Sequence, residues 1–150
     1  MIQRIQSIWL FLAAITMFLM LALPILSVQG EGVETWLKGS GIYTLTEAGE
    51  TQSTAATPLL ITIVITGILF FVNIFNFRNR ALQRRITGIC MVLILVACGW
   101  MYYYASMIAG STFNYGAGLF MPVLGLIFSL LTMRGIRKDE QLLKSADRLR

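Results

Sequence analysis

The chain has 150 residues, of which 57% are hydrophobic and only 13% charged, and it carries a formal charge of +5 without a single histidine. Soluble domains average about half apolar and a quarter charged residues, so this balance points to a lipid host. The lack of histidine excludes Ser-His-Asp and Cys-His catalysis and removes the commonest metal ligand.

The first apolar run, Ser7 to Val28, contains no Lys, Arg, Asp or Glu. About 20 helical residues at 1.5 Å each cross the hydrocarbon layer, and this run suffices. A cleaved signal peptide is the rival reading. Its apolar core is usually about 7 to 15 residues long and ends at an A-x-A-like site, so the longer segment here is expected to be retained. Trp9 falls at one end, where amphipathic rings favour the headgroup level. Pro24 predicts a kink or an early unwinding.

An outer loop, 29–57, follows. Ile42, Tyr43, Thr44, Leu45 and Thr46 are β-prone, and Glu47-Ala48-Gly49-Glu50 could turn the chain into the weaker Thr51 to Thr54 run. Pro58 suits the first turn of a second helix, where a missing N–H costs nothing. That second span, Pro58 to Phe77, holds the most informative polar pattern. Thr62, Thr66 and Asn73 share one helical face, with Asn76 a turn beyond Asn73. Such a stripe should face protein or water. It reads as an interhelical polar seam, or in its sharper meaning as a polar substrate path.

Arg78, Arg80, Arg84 and Arg85 crowd the link to the third span, Ile86 to Ala109. Cys90 and Cys98 both lie in that span. Eight residues along a helix is roughly 12 Å, so they cannot form a disulfide, and their spacing offers no zinc site. Trp100 with Tyr102, Tyr103 and Tyr104 marks the far end as another headgroup belt. Ala105 and Ala109 share a face with Cys98 and are read as a close helix contact. The turn Gly110 to Tyr115 is uncharged. Gly116-Ala117-Gly118 resembles the start of a dinucleotide fingerprint, but Met121 stands at the third glycine position, and a flexible turn into the fourth helix is expected.

The fourth span, Gly116 to Met133, contains Pro122, a second expected kink, and a small pair, Gly125 and Ser129, assigned to packing within the bundle. Beyond it, Ile136, Leu143, Ala146 and Leu149 repeat at helical spacing among Arg137, Lys138, Lys144, Arg148 and Arg150, which predicts an interfacial helix over 134–150. Cations beside a bilayer attract anionic headgroups, so Arg78, Arg80, Arg84, Arg85, Arg137, Lys138, Lys144 and Arg148 are read as headgroup or partner contacts.

Eleven of the 12 basic residues precede the first span, fill the middle link or follow the fourth span; only Lys38 lies in the first long loop, beside Glu31, Glu34, Glu47 and Glu50. By the positive-inside rule both termini and the Arg78 to Arg85 link are cytoplasmic. Topology thus explains the basicity, and nucleic acid is not an expected partner. The expected fold is all-α in a single domain, 1–150: an integral membrane four-helix bundle with a short extracytoplasmic β-hairpin or loop and a cytoplasmic C-terminal helix.

The two ends carry a family pattern. The opening Met1-Ile2-Gln3-Arg4-Ile5-Gln6 and the closing Arg134-Gly135-Ile136-Arg137-Lys138-Asp139-Glu140, with Ser145-Ala146-Asp147-Arg148-Leu149-Arg150 after it, resemble a bacterial membrane family, domain of unknown function 4293. Asn76-Phe77-Arg78-Asn79-Arg80, followed by Leu82-Gln83, resembles that family's inner link. The resemblance covers essentially the whole chain and implies four spans in a bacterial inner (cytoplasmic) membrane. It brings no activity and no catalytic residue.

The functional expectation is a non-enzymatic membrane protein that acts by protein or lipid interaction, as an accessory or assembly subunit or an envelope scaffold. Its expected partners are the bilayer and another membrane subunit, and no catalytic, cofactor or metal residue is assigned. The alternative is a small-molecule or lipid transporter working as an oligomer, which would need a water-accessible cavity lined by Thr62, Thr66 or Asn73. An intramembrane enzyme would need Tyr102, Asn73 or Cys98 to converge on a ligand.

Overall fold

The computed structural model describes residues 2–30, 33–46, 49–108 and 112–148. Among these residues the chain forms four α-helices, α1 (Ile2–Ala22), α2 (Thr57–Phe75), α3 (Arg80–Met107) and α4 (Met121–Arg148). It also forms a five-stranded antiparallel sheet from β1 (Leu26–Gly30), β2 (Val33–Lys38), β3 (Gly41–Thr46), β4 (Gly49–Ala55) and β5 (Thr112–Tyr115), ordered β4-β3-β2-β1-β5. The all-α expectation is therefore corrected to a helix bundle carrying a sheet on one end.

Each helix includes a stretch long and apolar enough to cross a membrane. The four form a ring in which α1 packs against α2 and α4, and α3 closes the other side against the same two. Leu10, Ala13, Met17 and Met20 of α1 meet Leu59, Ile63 and Phe70 of α2 and Cys90, Ile94 and Ala97 of α3 in one buried core. Close approach is set by small residues. A Cβ on Gly67 would stand 2.9 Å from the Phe18 ring, and one on Gly125 would stand 3.1 Å from the Met17 methyl. Gly125 and its buried neighbour Ser129 thus face the inside of the bundle. The opposite faces are apolar too: Phe11, Ile65, Phe71, Val92, Leu95, Val123 and Ile127 are all exposed.

The sheet departs from expectation at both of its ends. α1 stops at Ala22, well before Val28, because Pro24 has no N–H to continue the ladder. Past the proline the chain alternates: Leu26 and Val28 are buried while Ser27 and Gln29 point the other way, the period of a strand. β2 repeats the pattern, with Leu37 inward and Trp36 outward. The β3–β4 hairpin lies where Ile42 to Thr46 and Thr51 to Thr54 read as strands, with a register shift between Ile42 and Tyr43. The expected turn residues Glu47 and Ala48 lie outside the described residues. β5 occupies part of the expected Gly110 to Tyr115 turn and pairs with β1, Tyr115 opposite Leu26 and Phe113 opposite Val28.

Gly116 and Gly118 lock this sheet to the bundle. Their N–H groups donate to Ile25 O (3.0 Å) and Pro24 O (2.9 Å), and a Cβ on Gly116 would fall on the Pro24 carbonyl. The segment expected to be a flexible turn is a tight 3-10 turn, Ala117–Phe120, and its glycines serve close approach. Pro122 consequently sits in the first turn of α4, where it does not kink the helix. α4 then runs without a break to Arg148, so the tail is a continuation of the fourth helix and not a separate interfacial one. At 28 residues it is about 42 Å long, more than the roughly 30 Å hydrocarbon layer requires.

Candidate functional site

The polar side chains that the bundle buries gather toward the end where α1 begins, α2 ends, α3 begins and α4 leaves the apolar stretch. Here α1 and α4 touch through Gly135, whose missing Cβ leaves room for the Gln6 side chain at 3.0 Å. Ile136 is fully buried beside it. Gln6 Nε2 donates to Asp139 Oδ2 at 2.6 Å, and both residues are buried. The opening and closing segments that carry the family pattern are therefore held against each other in space.

A second tie joins α2 to α3. Asn73 Nδ2 donates to Gln83 O at 3.1 Å and to Thr87 Oγ1 at 3.0 Å, while Gln83 Nε2 donates back to Asn73 O at 3.3 Å. The Thr87 hydroxyl donates to Gln83 O at 2.8 Å. All three residues are buried, and Asn73 Oδ1 lacks a partner among the described residues. The link that brings them together is a 3-10 turn, Asn76–Arg78, followed by Asn79, whose side chain accepts from Leu82 N at 3.1 Å and caps α3.

The structure separates the four seam residues. Thr62 and Thr66 donate to Pro58 O (2.7 Å) and Thr62 O (2.6 Å) on their own helix, a back-bond that satisfies the hydroxyl without a neighbour. Thr66 is buried, Thr62 is half-buried, and Asn76 is half-buried in the turn. Asn73 alone of the four reaches across to another helix. Its partners Gln83 and Thr87, and the pair Gln6 and Asp139, were not singled out as site residues from sequence. The i, i+4 spacing of Gln83 and Thr87 just inside the arginine link was the signal available for the first pair; no local pattern announces the second, which joins the two ends of the chain.

Cations surround this end. Arg85, Arg134, Arg137 and Lys138 are exposed, Arg84 is half-buried and engaged, and Arg80 is half-buried with its Nη1 out of reach of solvent and without a partner among the described residues. The side chains of Arg78, Lys144 and Arg148 lie outside the described residues.

At the opposite end the outward face of the sheet presents a different chemistry. Trp36 of β2 lies opposite Tyr43 of β3, and the Lys38 ammonium sits 4.8 Å from the Tyr43 ring centre and 5.6 Å from that of Trp36. Glu34 accepts from Gln29 Nε2 at 2.9 Å and from Trp36 Nε1 at 3.3 Å. These ties fix the aromatic pair in place.

Comparison with known families finds a match over residues 2–149 to the family described as Domain of unknown function (DUF4293). No curated protein matches the chain.

Proposed function

Because the chain belongs to the DUF4293 family, whose description names no activity, we propose its role from the form of the bundle: it is an integral protein of a bacterial inner membrane that works by binding other proteins or lipids, as an assembly subunit or envelope scaffold. The observation that carries this reading is the closed interior. Thr66, Asn73, Gln83 and Thr87 are each at most 2% exposed and hydrogen-bond to one another or to their own helix. Close packing there weighs against a polar path through a single bundle, which is the feature the transport alternative requires. What remains for recognition is the two ends.

The membrane setting rests on the exposed apolar belt, in which Phe11, Ile65, Phe71, Val92, Leu95, Val123 and Ile127 carry large hydrophobic side chains outward on all four helices, a pattern that marks a membrane or interaction surface. The positive-inside rule then puts the arginine-rich end and both termini in the cytoplasm and the sheet outside. At the inner end the exposed Arg85, Arg134, Arg137 and Lys138 suit lipid phosphates or partner carboxylates. At the outer end the rigid Trp36–Tyr43 pair offers aromatic area at little entropic cost, the composition of an interaction surface. Chemical crosslinking in native membranes, followed by affinity purification and mass spectrometry, tests the proposal. Stoichiometric recovery of one protein partner, or enrichment of one lipid class with the purified chain, supports it; recovery of the chain with neither overturns it.

A further inference from the structure

The small face of α3 that reads as a helix contact leaves a hollow instead. Cys98, Met101 and Ala105 form one wall of a trough of about 680 Å3, and Leu119, Phe120 and Val123 form the other. Its base is Ile25 and Leu26, where α1 has ended and β1 begins. Of the neighbouring helix pairs, α3 and α4 pack least closely, and the trough is the gap between them at the sheet end.

β5 roofs it. The register that sets Tyr115 opposite Leu26 and Phe113 opposite Val28 turns both aromatic side chains to the bundle side of the sheet. There they overhang the flank of α3 and α4, and they stay 71% and 48% exposed. Side chains of that size on the packed face of a sheet are normally covered, so these two await a neighbour. The lining holds no Lys, Arg, Asp or Glu, and among its polar groups the Ser106 hydroxyl already donates to Tyr103 O at 2.7 Å. An ionised or strongly hydrogen-bonding ligand would lose its water here without compensation.

We propose that this trough holds one acyl chain of a phospholipid from the outer leaflet. The inference rests on the membrane setting proposed above. Two features select that occupant. The mouth is continuous with the lipid-facing belt, because Phe120 and Val123 on its rim are 59% and 53% exposed and lead along α4 to Leu124 and Ile127. Tyr102 and Tyr115, which line it, come from the aromatic cluster and the sheet, and amphipathic rings of this kind favour the headgroup level at which a lipid glycerol would sit. The volume falls within the roughly 300 to 1,000 Å3 of sites that enclose small molecules.

The test uses the full chain in nanodiscs containing a phospholipid with a diazirine at mid-chain. After photolysis, peptide mapping should place the label on Met101, Ala105 or Val123 at least ten-fold above Val92 or Ile68, which are exposed on the belt away from the trough. Ala105→Phe fills the hollow and should abolish the enrichment, whereas Val92→Phe should leave it intact. Val123→Trp narrows the mouth from an exposed position and gives the same reading should Ala105→Phe fail to fold. Even labelling around the belt, or enrichment that survives both trough variants, overturns the proposal. Release of the chain from cell membranes by alkaline carbonate would instead overturn the membrane setting, so the two failures are told apart.

Discussion

Replacing Asn73 by alanine removes both hydrogen bonds that its amide donates across the α2–α3 contact, to Gln83 O and to the Thr87 hydroxyl. Interhelical hydrogen bonds in membrane bundles average about 0.6 kcal/mol and reach about 1.7, so two of them are worth about 1 to 3 kcal/mol. The site is fully buried, and the hole left by the lost amide adds to that cost. The return bond from Gln83 Nε2 goes to the Asn73 backbone and survives the change. Reversible unfolding in mixed dodecylmaltoside and dodecyl sulfate micelles, followed by circular dichroism, measures the loss. Thr62→Val is the control: its hydroxyl binds only Pro58 O on its own helix, so it should stay within about 0.5 kcal/mol of the parent. In a double-mutant cycle, Asn73→Ala with Thr87→Val should show a coupling of about 0.6 to 1.7 kcal/mol. Asn73→Asp should be worse than alanine, because it sets an acceptor against acceptors and buries a charge. The reasoning fails if Asn73→Ala is no more costly than Thr62→Val, or if the coupling is nil.

Gly116→Ala should prevent the sheet from docking, since its Cβ would occupy the Pro24 carbonyl, whereas Gly99→Ala, with nothing within 4 Å, should be neutral or stabilise α3 by up to about 1 kcal/mol; thermal melts in detergent compare them. Asp139→Ala should cost about 1.5 to 3 kcal/mol by stranding Gln6, and Asp139→Asn, which can still accept from it, should cost less; equal losses in the same unfolding assay would count against the tie. Orientation is read with single cysteines in a Cys90→Ser, Cys98→Ser background: a membrane-impermeant maleimide should label Lys38→Cys in spheroplasts but Arg85→Cys only after permeabilisation. The reverse pattern would invert the topology.

The helices were legible because hydrocarbon burial writes itself into composition. A run without charge is visible whatever the run packs against, and α2 begins beside Pro58; α3, however, begins at Arg80, inside the arginine link and six residues before the expected Ile86. The β3–β4 hairpin was legible in its β-prone residues, but β1 was not, for a related reason. Leu26 to Val28 are uncharged as well, so a criterion based on charge carries α1 past Pro24 into β1. Only the alternation of Leu26 and Val28 with Ser27 and Gln29 separates them, and four residues is a short sample of a period-2 pattern. β5 is shorter still as a signal. Its pairing with β1 is fixed by residues far away in sequence, and no local propensity announces it. The site follows the same division. Asn73 stood out as an amide in an apolar helix, while the Gln6–Asp139 bond required the two termini to be placed side by side first.

The pairing of β5 with β1 also constrains how the protein is made. In the orientation proposed above, the segment that ends the sheet on one side would be exported only once the third and fourth helices had entered the bilayer, long after β1 had emerged. Until then β1 has an unpaired edge and Pro24 O and Ile25 O await the amides of Gly118 and Gly116. A chain that stalled after two insertions would therefore keep an open strand at this end of the bundle, the kind of unpaired edge that invites chaperones and proteases.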